Sequence, residues 1–424
     1  MKRLILLLWV AFCFAPIVQP TLAATIITPV DPVSQFALPA ITLNASGFPI
    51  IAYNYQGAGM RVVVCGNATC SAGNTITTPD TGNVGWDASI VLNGSGNPVI
   101  AHHDDFNFDL RLLVCGNPTC TAGNVNRIVT ATGFTGYYPS IKLNASGNPV
   151  IAFYETLVGL HLVVCGNATC SAGNTITTLN ADVAYSISMQ LNASGIPVIA
   201  YYSNTPQDLN LIVCGNATCS AGNVTTTVDA LGDVGDFASM QLNASGFPVI
   251  SYYDRLNANL KLAVCGNATC SAGNSIAVVD SVGDVGRFSS MRLNASGFPV
   301  ISYQDAGNID LRVAVCGNAT CTAGNTITTI DTAGSVGHAT ALVLNGSDFP
   351  QIAYYDDTTD YIKLAACDTT LCTAASLGLT VTSTADTIAV DGVVTLREAI
   401  TAANTNAVSG DAGPGSPGLG CHQF

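Results

Sequence analysis

Polar and apolar residues along this chain follow a pattern that renews itself about every fifty residues. In its fifth occurrence, Ser239-Met240-Gln241-Leu242-Asn243 alternates, and Ala244-Ser245-Gly246-Phe247 has the composition of a turn. Pro248-Val249-Ile250-Ser251-Tyr252-Tyr253 is then apolar on both faces. Leu260-Lys261-Leu262-Ala263-Val264 precedes a cysteine-containing turn, and Ser275-Ile276-Ala277-Val278-Val279 closes the unit. Alternation predicts a strand with one covered face, and a continuous β-rich apolar run predicts a strand covered on both. Each unit therefore reads as four short strands, A to D, and no segment of the repeat region keeps a helical period.

Two markers fix the repeat count. The decapeptide Cys65-Gly66-Asn67-Ala68-Thr69-Cys70-Ser71-Ala72-Gly73-Asn74 recurs from Cys115, Cys165, Cys214, Cys265 and Cys316, and in degraded form from Cys367. A Leu-Asn-(Ala/Gly)-Ser turn begins at Leu43, Leu92, Leu143, Leu191, Leu242, Leu293 and Leu344. One four-stranded sheet cannot bury both of its faces alone, so successive units must cover one another. A parallel β-helix uses fewer residues per coil, and tandem sandwiches need more strands per unit. The expected fold is all-β, a seven-bladed β-propeller over residues 25–376. Its seventh unit has no good copy of strand D after Cys372. A match for that strand stands at the other end of the chain, where Thr25-Ile26-Ile27-Thr28-Pro29-Val30-Asp31 resembles Thr326-Ile327-Thr328-Thr329-Ile330-Asp331. The N-terminal strand is thus expected to complete the last blade and close the ring, removing two exposed sheet edges.

The two ends differ from the repeats. Residues 1–24 carry Lys2 and Arg3, an apolar run from Leu4 to Val18 broken by Pro16, and Thr21-Leu22-Ala23-Ala24 at the end, the pattern of a cleaved secretory signal peptide. No later stretch is apolar for long enough to span a bilayer, so a secreted protein, extracellular or at the cell surface, is expected. Residues 377–424 form a separate segment containing Leu379-Thr380-Val381-Thr382-Ser383-Thr384-Ala385-Asp386-Thr387, then Asp391-Gly392-Val393-Val394-Thr395-Leu396-Arg397-Glu398-Ala399-Ile400 and Ala402-Ala403-Asn404-Thr405-Asn406. This segment resembles the CSLREA domain of secreted bacterial proteins, with Val394 where the family has cysteine. The Pro-Val-Ile-Ser-Tyr-Tyr-Asp units resemble blades of uncharacterised exported bacterial β-propellers. These resemblances imply a bacterial exported protein and no catalytic role. Gly413-Pro414-Gly415-Ser416-Pro417-Gly418 and Cys421 then lead to Phe424, which reads as a truncated end of the CSLREA-like segment.

Composition narrows the functional classes. Hydrophobic residues make up 48% of the chain and charged ones 9%, with a net charge of -14. That balance supplies a large core and excludes nucleic acid as a partner, since phosphate binding needs a basic face. In an oxidising compartment the Cys-x4-Cys pairs are expected as local disulfides: Cys65 with Cys70, Cys115 with Cys120, Cys165 with Cys170, Cys214 with Cys219, Cys265 with Cys270, Cys316 with Cys321 and Cys367 with Cys372. Pairs on successive blades lie too far apart for a four-thiolate metal site. Asn67 and Asn243 begin glycosylation sequons, but the strict coincidence of these motifs with turns favours a turn role.

In such a blade the A–B and C–D turns emerge on one side and the B–C and D–A loops on the other. The first set is repeated nearly verbatim, whereas the second varies, as a binding surface on a rigid support requires. Of the acidic residues in the repeats, all except Asp348 and Asp368 fall in or beside the variable segments, together with many aromatics. The candidate ligand contacts are Trp86, His103, Asp104, Tyr154, Glu155, Tyr202, Tyr253, Asp254, Asp305, Tyr355 and Asp356, placed at loop tips. Aromatic rings beside carboxylates suit sugars and cations, so an extracellular glycan or protein is the expected partner. Calcium would find oxygen ligands around Asp104–Asp109 and Asp356–Asp360, yet neither run has the spacing of a calcium loop, and no cofactor is expected. The chain lacks the Ser-x-Asp-x-Gly-x-x-Trp box of sialidase propellers and every nucleophile or metal motif of the common hydrolases. The primary expectation is a non-catalytic binding or adhesion protein. A secreted glycan hydrolase using two carboxylates and a passive spacer are the alternatives.

Overall fold

Six of the repeats each fold into one antiparallel sheet of four strands in the order of the chain, and the seventh supplies three strands of a four-stranded sheet. The structure, a computed structural model, describes residues 25–33, 36–131, 133–181 and 184–373. The signal-peptide and CSLREA-like expectations fall outside the described residues. Strand β1 (Ile26–Pro32) is followed by β2–β5 between Ala40 and Thr81, β6–β9 between Val84 and Thr130, and β10–β13 between Thr135 and Asn180. Then come β14–β17 between Ala184 and Asp229, β18–β21 between Val234 and Asp280, β22–β25 between Val285 and Asp331, and β26–β28 between His338 and Ala366. The seven sheets stand around an axis as a seven-bladed β-propeller. The last sheet has the order β1-β28-β27-β26. Its outer strand β1 pairs antiparallel with β28 (Tyr361–Ala366), from Ile26 opposite Ala366 to Pro32 opposite Tyr361.

The doubly apolar strand B has the physical role its pattern implies. In β15 (Pro197–Ser203), Val198 and Ala200 enter the core shared with the next blade, while Ile199 and Tyr201 enter the one shared with the preceding blade. Every core of the ring is therefore an inter-blade core, and no blade has one to itself. Strand D at the rim, such as β21 (Ser275–Asp280), keeps Ile276 and Val278 exposed.

The cysteine turn is as local as its spacing suggests. All seven pairs are bonded, with Cα separations of 4.7–5.0 Å. Within the turn, Asn67 Oδ1 accepts from the Thr69 and Ser71 amides (both 3.1 Å), and Asn74 Oδ1 accepts from the Gly66 amide (3.1 Å). Gly66 is required by close approach, because a Cβ there would lie 2.5 Å from the carbonyl oxygens of Ala72 and Gly73. The Leu-Asn turns work similarly: Asn243 Oδ1 accepts from the Ser245 and Phe247 amides at 2.9 and 3.0 Å.

Strand A is longer than its alternation indicates. In the fifth blade it runs over Val234–Leu242 rather than beginning at Ser239, because the register shifts between Val234 and Asp236 and again between Asp236 and Ser239. These bulges break the two-residue period from which a strand is read. Strand B also continues one residue further, to Asp254 in β19 (Pro248–Asp254). Residues expected at B–C loop tips are therefore strand residues.

Candidate functional site

The bulge in strand A builds the site. Just after its first turn of pleat, each blade from the second to the seventh holds one non-glycine residue in the left-handed region: Asp87, Tyr138, Ser186, Phe237, Phe288 and Ala339, with φ between 50° and 54°. In five of these blades the residue two positions earlier is a glycine. Gly235 (φ 108°) shows why, since a Cβ there would meet the Leu209 backbone at 2.8 Å. The left-handed residue swings out of the pleat toward the propeller axis, and all six line one cavity of about 770 Å³. The strands that position them are the innermost of their sheets and are tied to each other around the axis. Ser89, Ser140, Ser188, Ser239 and Ser290 each accept, at 2.9–3.2 Å, the amide of the next blade's strand A, at Ile141, Met189, Met240, Met291 and Leu342.

The cavity is a funnel on the B–C and D–A side. Its wall is aromatic: Phe36, Trp86, Tyr137, Tyr138, Tyr185, Phe237 and Phe288 all contribute. Tyr138 meets Tyr185 edge-on at 5.6 Å, and Phe237 lies 4.5 Å from Phe288. Asp87, Asp105 and Asp236 are its carboxylates and Arg255 its guanidinium. Asp236 is satisfied by Ser186 Oγ (2.8 Å), the Phe237 amide (2.9 Å) and Arg255 Nε (2.9 Å). Among the described residues Asp87 has only a long hydrogen bond, from the Tyr138 amide (3.4 Å). Burial, with the nearby Asp105 charge adding to it, pushes the Asp87 carboxyl up to about 6. Burial also raises the Tyr138 hydroxyl and keeps the His103 imidazole below its ordinary value.

The sequence candidates divide between this funnel and the seams between blades. Trp86, His103 and Tyr202 line the funnel. His103 is buried, stacked 4.1 Å from Tyr137, with Nδ1 at 3.0 Å from the Thr135 carbonyl oxygen. Tyr202 donates to Asp233 at 2.9 Å. Tyr154 is buried behind the wall, 5.9 Å from the Tyr185 ring, and Glu155 sits 3.5 Å from His161. Tyr253 and Tyr355 are buried and donate to Asp284 (2.7 Å) and Asp360 (2.6 Å).

Asp104, Asp254, Asp305 and Asp356 are not at exposed tips, contrary to expectation. Each is 0–2% exposed. Their oxygens cap the B–C turn, as Asp254 does for the Asn257 amide at 2.9 Å. Each also faces the strand-C cation of its own blade: Arg111 at 3.2 Å, Lys261 at 3.7 Å, Arg312 at 2.6 Å and Lys363 at 2.6 Å. The same cations reach across the seam to an aspartate at or one residue before the end of the preceding strand D. Lys261 lies 2.5 Å from Asp229, which also accepts from Tyr252 (2.6 Å). Asp31 of β1 plays that part for the first blade, accepting from Tyr53 and Arg61. A carboxylate so enclosed is a seam element. Among the described residues no three His, Cys, Asp or Glu side chains converge as a metal ion requires. No helix among them is long and apolar enough to cross a membrane.

Sequence reasoning passed over Asp87, Asp236 and Arg255. A signal for the first was present: four of these six repeats have Val-Gly, the third has Thr135-Gly136 and the fourth Val183-Ala184, a Ser or Ala follows in each, and the column between them carries Asp, Tyr, Ser, Phe, Phe and Ala. Nothing along the chain shows that this varied column shares one cavity.

No protein-family model and no curated protein matches the sequence. Solved structures with a similar fold include a protein of unknown function from Dyadobacter fermentans (12% identity, TM-score 0.49, covering 80% of this chain and 98% of that one). A mutant NanB sialidase from Streptococcus pneumoniae is similar at 10% identity and TM-score 0.48, over 81% of this chain and 70% of that one. The WD40 domain of Toxoplasma gondii coronin is similar at 9% identity and TM-score 0.47, over 82% and 87%.

Proposed function

We propose that this chain is a secreted or cell-surface, non-catalytic binding protein that takes an extracellular glycan in the axial funnel. A protein segment is the other class of partner with the same requirements. The observation that carries the reading is the left-handed column: six near-identical blades deliver five kinds of residue to one aromatic, carboxylate-bearing cavity. Flat aromatic walls stack on the apolar faces of sugars, and a partly free carboxylate such as Asp87 accepts from hydroxyls. The signal-peptide pattern of residues 1–24 supports export, and the seven disulfides fit it.

A glycan-array screen with the purified chain tests this, with Tyr138→Ala as the control. Ala339 occupies the same left-handed position in the seventh blade, so the substitution suits the backbone. The expected result is a defined set of bound glycans lost in the variant. Binding that the variant retains in full refutes the funnel as the site, and capture of peptides alone moves the partner to the protein class. The hydrolase reading has one observation in its favour, the raised carboxyl of Asp87, which suits a proton donor. Turnover of a bound glycan that Asp87→Asn abolishes would establish it.

A further inference from the structure

The second blade lines its sector of the funnel with hydrogen-bond acceptors and no cation: Asp87, His103 and Asp105 stand there beside Trp86. Asp87 belongs to β6 (Val84–Leu92), and Asp105 follows the end of the paired strand β7 (Pro98–Asp104). Asp105 is fixed beside β6 by two contacts. Its amide donates to the Asn83 carbonyl oxygen at 3.0 Å, and its Oδ2 accepts from Asn83 Nδ2 at 3.0 Å.

His103 pairs with Trp86 across the two strands, and its side chain is 2% exposed. Its Nδ1 lies against the Thr135 carbonyl oxygen, which can only accept, so Nδ1 carries the proton and Nε2 presents a lone pair. No group among the described residues donates to that lone pair, although buried acceptors are ordinarily satisfied. Asp105 Oδ1, 3.9 Å away, is itself an acceptor. The funnel's one guanidinium, Arg255, is engaged by Asp236 at 2.9 Å. Two carboxylates and an imidazole nitrogen thus face one cavity without a positive charge to answer them.

We propose, on the glycan reading of the funnel, that its ligand is a sugar with a free amine, whose ammonium bridges Asp105 and His103 Nε2 while Asp87 adds a second negative charge. The 3.9 Å between Asp105 Oδ1 and Nε2 is a spacing that one ammonium spans with two hydrogen bonds of ordinary length. Nε2 is covered in the free protein, so the approach takes a side-chain adjustment of Asp105, which is 46% exposed. The ammonium brings three N–H donors, and the Trp86 and Tyr138 faces attract both the cation and the sugar ring. A bare metal ion is not its equivalent, because these side chains do not converge as such an ion requires. A lysine side chain carries the same charge but has no ring face for the aromatic wall. A bound ammonium also draws the Asp87 carboxyl back down from about 6.

Calorimetric titration of the full chain at constant ionic strength tests this with four ligands: the β-1,4-linked tetrasaccharide of glucosamine, its fully N-acetylated form, the glucose tetrasaccharide of the same linkage, and tetralysine. Expected is binding of the amine form about tenfold or more tighter than of either neutral tetrasaccharide, with that margin lost in Asp105→Asn and in Asp87→Asn. Asparagine suits the left-handed backbone at position 87 (φ 50°). Each variant removes a single charge from a chain of net charge -14, so loss of the margin separates a specific contact from the general attraction of an acidic protein for polycations. A margin that survives both variants overturns the proposal. Equal or tighter binding of a neutral tetrasaccharide, lost in Tyr138→Ala, overturns the amine and leaves the glycan reading standing. Binding of tetralysine alone overturns both, and no binding of any of the four overturns the amine.

Discussion

The seam between the fourth and fifth blades permits a test with an internal control. Asp229 ends strand D of the fourth blade, and Tyr252, Lys261 and Asp254 belong to the fifth. Lys261 is 7% exposed and the two aspartates 4% and 2%. Although burial works against ionisation, the Lys261 and Tyr252 hydrogen bonds hold the Asp229 carboxyl below the usual range. Replacing Lys261 by asparagine leaves two buried carboxylates facing one lost cation, a change that typically costs ~3–5 kcal/mol. With a urea slope of at least ~3 kcal/mol/M for a chain of this size, the midpoint should fall by about 1 M. The deficit should shrink between pH 7 and pH 5, because protonating the stranded carboxyls relieves it.

The neighbouring seam shows what a neutral solution looks like. There Asn180 donates to the Tyr201 hydroxyl at 2.8 Å, Asn210 accepts from Thr227 at 2.9 Å, and Ser203 stands where Asp254 does. The triple variant Asp229→Asn, Lys261→Asn, Asp254→Ser copies this set apart from Thr227, whose counterpart in the fifth blade is Val278. It should unfold within about 1 kcal/mol of the wild type, since exchanging a whole buried ion cluster for matched neutral groups is often close to neutral. Urea unfolding of wild type, single and triple variants decides the matter. A triple variant as unstable as Lys261→Asn alone would show that the seam depends on its charges as such, and the reasoning fails.

Other consequences follow from the ring, the turns and the funnel. Deleting residues 25–36 removes the partner of β28 and the Asp31 acceptor for Tyr53 and Arg61, so the melting temperature should drop by well over ten degrees and the bared edge should promote association; an unchanged melt disproves the closure role of β1. Because the folded Asp87 carboxyl is raised, its protonated form is favoured on folding, and this contribution is lost as pH rises through about 6. Asp87→Asn should therefore be more stable than wild type at pH 7, by about 1 kcal/mol once solvent in the funnel is allowed for, and equal to it at pH 4, as calorimetry at the two pH values can show. Replacing Cys265 and Cys270 together by serine opens one short loop and should cost at most about 2 kcal/mol, because the Asn274 and Asn267 hydrogen bonds keep the turn; a larger loss in denaturant titration would mean the disulfide itself holds the blade.

Much of the architecture can be read along the chain because its causes are local. The Leu-Asn and cysteine turns mark each blade, and their asparagines satisfy amides two to eight residues away. The apolar B strands state that blades cover blades, since a strand such as Pro197–Ser203 has no polar face to give to water. Strand starts were misread where the bulge interrupts alternation, and Asp254 and its equivalents were placed on a surface because a polar residue after an apolar run looks like a loop. Their burial depends on Lys261, Arg312 and Lys363, which are near in sequence, and on Asp229, Asp280 and Asp331, which belong to another blade.

The sequence by itself determined the number of blades, the strands within each, the disulfide pairs and the side on which variation collects. Each of these follows from residues within one repeat. Only the tertiary structure decided which variable residues meet. Asp87, Tyr138, Ser186 and Phe237 are about fifty residues apart in turn and share a cavity only because the ring brings equivalent positions to one axis.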